Sequence, residues 1–104
     1  MAVIQEPGND LLISPASYWE MAIKISIKKY NLSISYDRFW RDAIEGYRIG
    51  ILPIELRHTG KLVSLPFHHK DPFDRLLVAQ SLADDLPLIS ADESLDAYGI
   101  RRIW

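Results

Sequence analysis

The chain contains no cysteine, so disulfides and thiolate metal sites are excluded. No apolar run approaches the roughly 20 residues needed to span a bilayer. The first residues, Met1 to Pro7, have no basic stretch and no long apolar stretch, so they do not read as a secretory signal. A strong excess of charge of either sign is also missing. The net charge of −2 makes the whole molecule no magnet for nucleic acid, and contact with RNA would need a local basic patch. Repeats, low-complexity tracts and linkers are absent. These absences fit a cytoplasmic protein that does not associate with membranes. What is present is ordinary for a globular chain: 104 residues, 48% hydrophobic and 25% charged. One domain spanning residues 1–104 is expected.

Turn residues divide the chain. Pro7-Gly8-Asn9-Asp10 is a turn cluster, and the preceding Ala2 to Glu6 reads as the tail of a helix or a frayed end. Leu11-Leu12-Ile13 reads as a short buried strand. Ser14-Pro15 is an N-cap with proline at the first helical position, opening a helix over 16–29. There Trp19, Ile23 and Ile27 recur at i, i+4 and i+8 and predict one apolar face. Further helices are predicted over 35–45, 54–65 (weakened by Thr59-Gly60) and 73–83, with a short one over 92–98. Strands are predicted over 47–53, 87–90 and 101–104. Short apolar strands alternating with helices argue an α/β fold with a mostly parallel central sheet.

In such folds ligands gather beyond the carboxyl ends of the strands. Three acids are expected there. Glu20 lies early in the helix after the first strand, Asp74 in the first turn of the strong helix, and Asp92 two residues beyond Ser90. Converging carboxylates suit a hard divalent ion, Mg²⁺ or Mn²⁺, which can activate water against a phosphodiester. Each acid also has a purely structural use. Glu20 can pair with Lys24 at i, i+4. Asp71 and Asp74 flank Pro72 as N-cap and third helical residue. Asp92 can cap the helix that follows it. Singly, capping and pairing are the better readings; the shared location argues for a site. His68 and His69, being adjacent, read as loop or rim residues, since neighbours rarely point to one ion. Lys24, Lys28, Lys29, Lys70 and Arg75 can border the acids and contact phosphates, although a solvated face is the commoner role. Trp19, Trp40 and Phe73 read as core.

Three stretches carry a family resemblance: SYWEMAIK (17–24), HHKDPFDRLLVAQ (68–80) and LISAD (88–92). In this order and spacing they resemble the PIN-domain ribonucleases of the VapC toxin type, over nearly the whole chain. The resemblance implies a PIN-like three-layer fold and a metal-dependent endoribonuclease. Glu20, Asp74 and Asp92 would be its catalytic and metal-holding acids, with Asp71 shaping the pocket. It also implies RNA as substrate, a cognate antitoxin as partner, and a homodimer.

One element of the family pattern has no counterpart. The family opens with a strand ending in an aspartate, followed by a helix, and Met1 to Glu6 resembles instead the end of a later helix. The expectation is therefore an N-terminally truncated PIN fold without its first acid. Loss of a central strand would leave neighbouring strands with unpaired N–H and C=O groups, each costing about 1–3 kcal/mol. Closure of the two half-sheets, a strand swapped between protomers, or a longer natural chain would each relieve this. The resemblance and its missing element imply two alternative functions: a ribonuclease toxin, or a catalytically impaired module that binds an antitoxin or its own copy without cleaving RNA.

Overall fold

The computed structural model describes residues 3–5 and 11–103. The fold is α/β. Strands β1 (Val3–Gln5) and β2 (Leu11–Ile13) lead into helices α1 (Pro15–Ser26) and α2 (Tyr36–Gly46). Strand β3 (Gly50–Ile51) precedes helices α3 (Leu56–Ser64) and α4 (Pro72–Asp84). Strand β4 (Leu88–Ile89), a 3-10 helix (Glu93–Tyr98) and strand β5 (Arg102–Ile103) complete the order. Trp104 and the turn cluster at 7–10 lie outside the described residues.

The sheet runs β3-β2-β1-β4-β5. The pairs β2–β3 and β4–β5 are parallel, while β1 is antiparallel to both of its neighbours. The sheet is therefore mixed. Its two parallel halves are joined by a strand running against them.

The helix tail or frayed end expected over 2–6 is corrected by this strand. Ile4 pairs with Leu12 on one side and Leu88 on the other, and its side chain is fully buried. The physical reason is the one that made a missing centre so costly. Two facing strands with open hydrogen-bonding edges recruit the nearest extended segment, and Val3-Ile4 supplies β-branched side chains suited to a buried strand. The pairing is made within one chain, so the half-sheets neither close directly on each other nor lack a centre.

Helix α4 is the core of the molecule. Arg75 through Ser81 are all buried, and Leu77, Val78 and Ala79 pack with Ile4, Leu65, Leu88, Leu95 and Tyr98. Most of its buried polar side-chain atoms find partners, Gln80 Oε1 being the exception among the described residues. Gln80 donates to the carbonyls of Leu52 and Pro53, and the Ser81 hydroxyl donates to the Leu86 carbonyl. Helix α3 forms across Gly60 and is tied to α4 by His58, which is fully buried. Its Nδ1 accepts the Glu55 backbone N–H at 2.9 Å, and its Nε2 lies 3.0 Å from the Asp84 carboxylate. Arg57 completes that contact with two hydrogen bonds to Asp84.

Several other expectations are adjusted. The strand predicted over 47–53 shrinks to Gly50–Ile51. Helix α1 ends at Ser26, because Lys28 adopts a left-handed conformation with φ 62°. The apolar stripe predicted on α1 faces outward: Trp19, Ile23 and Ile27 are 58%, 38% and 56% exposed. The buried residues of that helix are instead Ala16 and Ser17, whose small side chains allow close packing at its start. Trp40 is in the core as expected, whereas Trp19 lies edge-on against Phe73 at 5.1 Å, tying α1 to the start of α4.

Candidate metal centre

The site forms where β2 and β4 end. Helix α4 begins as the sequence predicts: Asp71 is the N-cap, its Oδ1 accepting the N–H groups of Phe73 at 2.8 Å and Asp74 at 3.0 Å, with Pro72 at the first helical position. This cap places Asp74 in the first turn, on the positive end of the helix dipole.

The second acid follows β4. The backbone N–H of Asp92 donates to the Ser90 hydroxyl at 3.1 Å, and the Ser90 carbonyl accepts from Arg102 Nη1 at 2.9 Å. Asp92 then caps the 3-10 helix, its Oδ1 accepting from the backbone N–H of Ser94 at 3.0 Å and from the Ser94 hydroxyl at 2.6 Å. The caps foreseen at Asp71 and Asp92 are realised, whereas the Asp74 carboxylate closes no capping box, because the Asp71 N–H donates to His69 Nδ1; the side chains of Asp74 and Asp92 still reach one place.

His69 joins them. One ligand-type atom from each of His69, Asp74 and Asp92 lies within 4.8 Å of the others. The imidazole Nε2 is 3.2 Å from Asp92 Oδ2 and 3.7 Å from Asp74 Oδ2. Adjacent histidines here face different ways: His68 packs edge-on against the Tyr98 ring at 5.1 Å, while His69 turns to the acids. The signal available in the sequence was the closeness of the pair to the Asp71 cap, which lies two residues beyond His69.

Glu20 stands apart from this group of three. Its carboxylate pairs with Lys24 at 3.4 Å. Together they line a cavity of about 340 Å³ with Met21, Tyr30 and Leu32. Its charge is nevertheless felt at the site. Burial, then the negative charges of Asp71 and Glu20, push the Asp74 carboxyl up from 3.8 to about 6, against the opposing pull of His69. Asp92 moves the other way: hydrogen bonding from the Ser94 hydroxyl, opposed by partial burial and helped by His69, holds it below the usual carboxylate range. Arg75, foreseen at the phosphate-facing rim, is instead buried, donating to the Pro66 carbonyl and the Tyr98 hydroxyl.

Strand direction decides what β1 brings to this edge. Val3 pairs with Ile89 at the carboxyl end of β4, whereas Gln5 pairs with Leu11 at the start of β2. The amino end of β1 therefore meets the site, and the described residues of β1 add no carboxylate to it.

Residues 2–100 match the family model described as PIN domain. The chain belongs to the PIN-domain family. That membership carries a nuclease-type function, and PIN domains are generally divalent-metal dependent. No curated protein and no solved structure gives a significant match. No helix among the described residues is long and apolar enough to cross a membrane.

The residues present fit a hard divalent cation. Carboxylate oxygens are the favoured donors of Mg²⁺ and Mn²⁺. Ligand-type atoms of Asp74 and Asp92 lie within 4.8 Å of each other, close enough for the acids of this PIN domain to hold one such ion together. Burial first, and then the neighbouring charges of Asp71 and Glu20, raise the Asp74 carboxyl, and a cation would relieve the part that comes from charge.

Proposed function

We propose that this PIN-domain chain is a metal-dependent endoribonuclease of the VapC toxin type, cleaving RNA phosphodiesters in the cytoplasm and paired with a cognate antitoxin. The observation that carries the reading is the meeting of Asp74 and Asp92, 18 positions apart in sequence, at the strand ends. Asp74 and Asp92 would hold Mg²⁺ or Mn²⁺, with Glu20 supplying a further carboxylate from α1 on release from Lys24. A bound divalent ion supplies an activated water and charge stabilisation at the phosphodiester.

The protein's own groups prepare that chemistry. The Asp71 cap and the Ser90–Arg102 contacts hold the two acids on rigid elements, so little reorganisation is needed when charge develops. Lys24, beside Glu20, offers a cation to the backbone of an RNA strand entering from α1. The test is cleavage of a defined RNA by purified protein, with and without Mg²⁺ or Mn²⁺. Asp74→Asn should lower the rate at least about 100-fold, the scale expected when an essential charge-stabilising group is lost. Unchanged cleavage in that variant would reject the mechanism.

A second reading is favoured by the outward stripe of Trp19, Ile23 and Ile27, together with the lack of an acid from the described part of β1. In it the domain binds an antitoxin helix or a second copy of itself through α1 and does not turn over RNA. Absence of cleavage under every divalent ion, with retained antitoxin binding that Ile23→Asp abolishes, would favour this module over the enzyme.

A further inference from the structure

His69 invites assignment as a third metal ligand, because its Nε2 lies with the two carboxylates. Its other nitrogen argues against this. The backbone N–H of Asp71 donates to His69 Nδ1 at 3.2 Å. An Nδ1 that accepts carries no proton, so in the neutral ring the proton sits on Nε2. That N–H then points at Asp92 Oδ2, 3.2 Å away. A protonated Nε2 has no lone pair to give a cation. Moving the proton to Nδ1 would set two donors, Nδ1–H and Asp71 N–H, against each other.

We propose that His69 is a positioning residue that donates from Nε2 to Asp92 and so aims that carboxylate at the metal, rather than a ligand itself. This rests on the metal-dependent reading above. The carboxylate it holds is otherwise nearly saturated. Asp92 Oδ1 already accepts two hydrogen bonds from Ser94, and Oδ2 accepts from His69, leaving the remaining capacity of Oδ2 for an ion. Asp74 is the complement: among the described residues no donor closer than His69 Nε2, at 3.7 Å, faces its carboxylate, so it is free to ligate.

The segment bearing His69 is held in place to make this bond. The Tyr98 hydroxyl accepts from the backbone N–H groups of His68 at 3.2 Å and His69 at 2.9 Å. The same hydroxyl accepts from the buried Arg75 at 3.2 Å. The loop is thereby pinned between α4 and the 3-10 helix, on the side where Asp92 emerges.

The experiment combines histidine-ring ¹H–¹⁵N spectra of the full chain, with and without Mg²⁺, and calorimetric Mg²⁺ titration of wild type, His69→Gln and His69→Ala. Loss of one ring signal in His69→Gln assigns it. The expected ring is protonated on Nε2 and bare on Nδ1, before and after Mg²⁺. Glutamine, which keeps a donor at the end of the side chain, should hold Mg²⁺ affinity within about threefold, whereas alanine should lose about tenfold or more. A ring protonated on Nδ1, or a glutamine variant as weak as the alanine one, overturns the proposal. Failure of the wild type to bind any Mg²⁺ would sink the metal-dependent reading. It would overturn the role of His69 at the metal with it, and an Nε2–H signal would then support only the hydrogen bond to Asp92.

Discussion

Arg75 Nη1 lies 3.2 Å from the Tyr98 hydroxyl, and both side chains are buried. The guanidinium is placed by the same helix that carries Asp74, and the phenol by the 3-10 helix that Asp92 caps. Two elements that each deliver one acid are therefore joined beneath the site. Stacking of Arg75 over Phe67, 4.0 Å from the ring centroid, covers the outer side of the contact.

Removing the hydroxyl should loosen this joint. Tyr98→Phe leaves a buried arginine N–H and two backbone N–H groups of the His68–His69 segment without their shared acceptor. The expected cost is about 1–3 kcal/mol, read as a lower urea midpoint with an unchanged slope. Divalent-ion affinity should fall as well, since the loop before Asp71 loses its anchor. A variant as stable as wild type would show that the hydroxyl holds nothing.

The pH dependence of stability follows from Asp74. Its folded-state value, about 6, stands above the ordinary 3.8, so the folded state binds the proton more tightly than the unfolded chain does. The resulting penalty is absent below 3.8, grows between 3.8 and about 6, and is complete above that. Asp74→Asn removes the ionisation. It should stabilise the metal-free protein above pH 6 by on the order of 1 kcal/mol, after discounting for the partial exposure of the side chain. Near pH 4 the two proteins should converge. Thermal unfolding in buffers from pH 4 to 8 measures this, and a gap that widened toward low pH would contradict the sign. Added Mg²⁺ should stabilise wild type and leave Asp74→Asn nearly unaffected.

The central strand offers the third test. Ile4 is fully buried between Leu12 and Leu88 on its two neighbours. Ile4→Ala should cost about 2–5 kcal/mol, a large share of a small domain's stability. An N-terminal segment that were frayed would tolerate the change with less than about 0.5 kcal/mol lost. Hydrogen exchange discriminates independently: the amides of β2 and β4 that face β1 should be protected in wild type and exchange faster in the variant.

How far the residues alone reach can be traced through α4. Asp71, Pro72 and Asp74 announce the helix start, and the observed cap uses these same residues. Asp92 after Ile89-Ser90 was likewise legible as both a cap and an acid at a strand end. Caps and turns are short-range chemistry, satisfied by backbone groups two or three residues away, so their residue types predict them.

The sequence by itself thus determined the α/β alternation, the start of α4 and the placement of Asp74 and Asp92 near strand ends. Only the tertiary structure decided that Val3–Gln5 is a central strand set against its neighbours, since three residues hold no readable period and the pairing depends on edges far along the chain. It alone turned Trp19, Ile23 and Ile27 outward, because periodicity shows that a face exists without saying what covers it. It alone brought His69 to Asp92, through an Asp71 N–H and a Tyr98 hydroxyl whose partnership no spacing encodes.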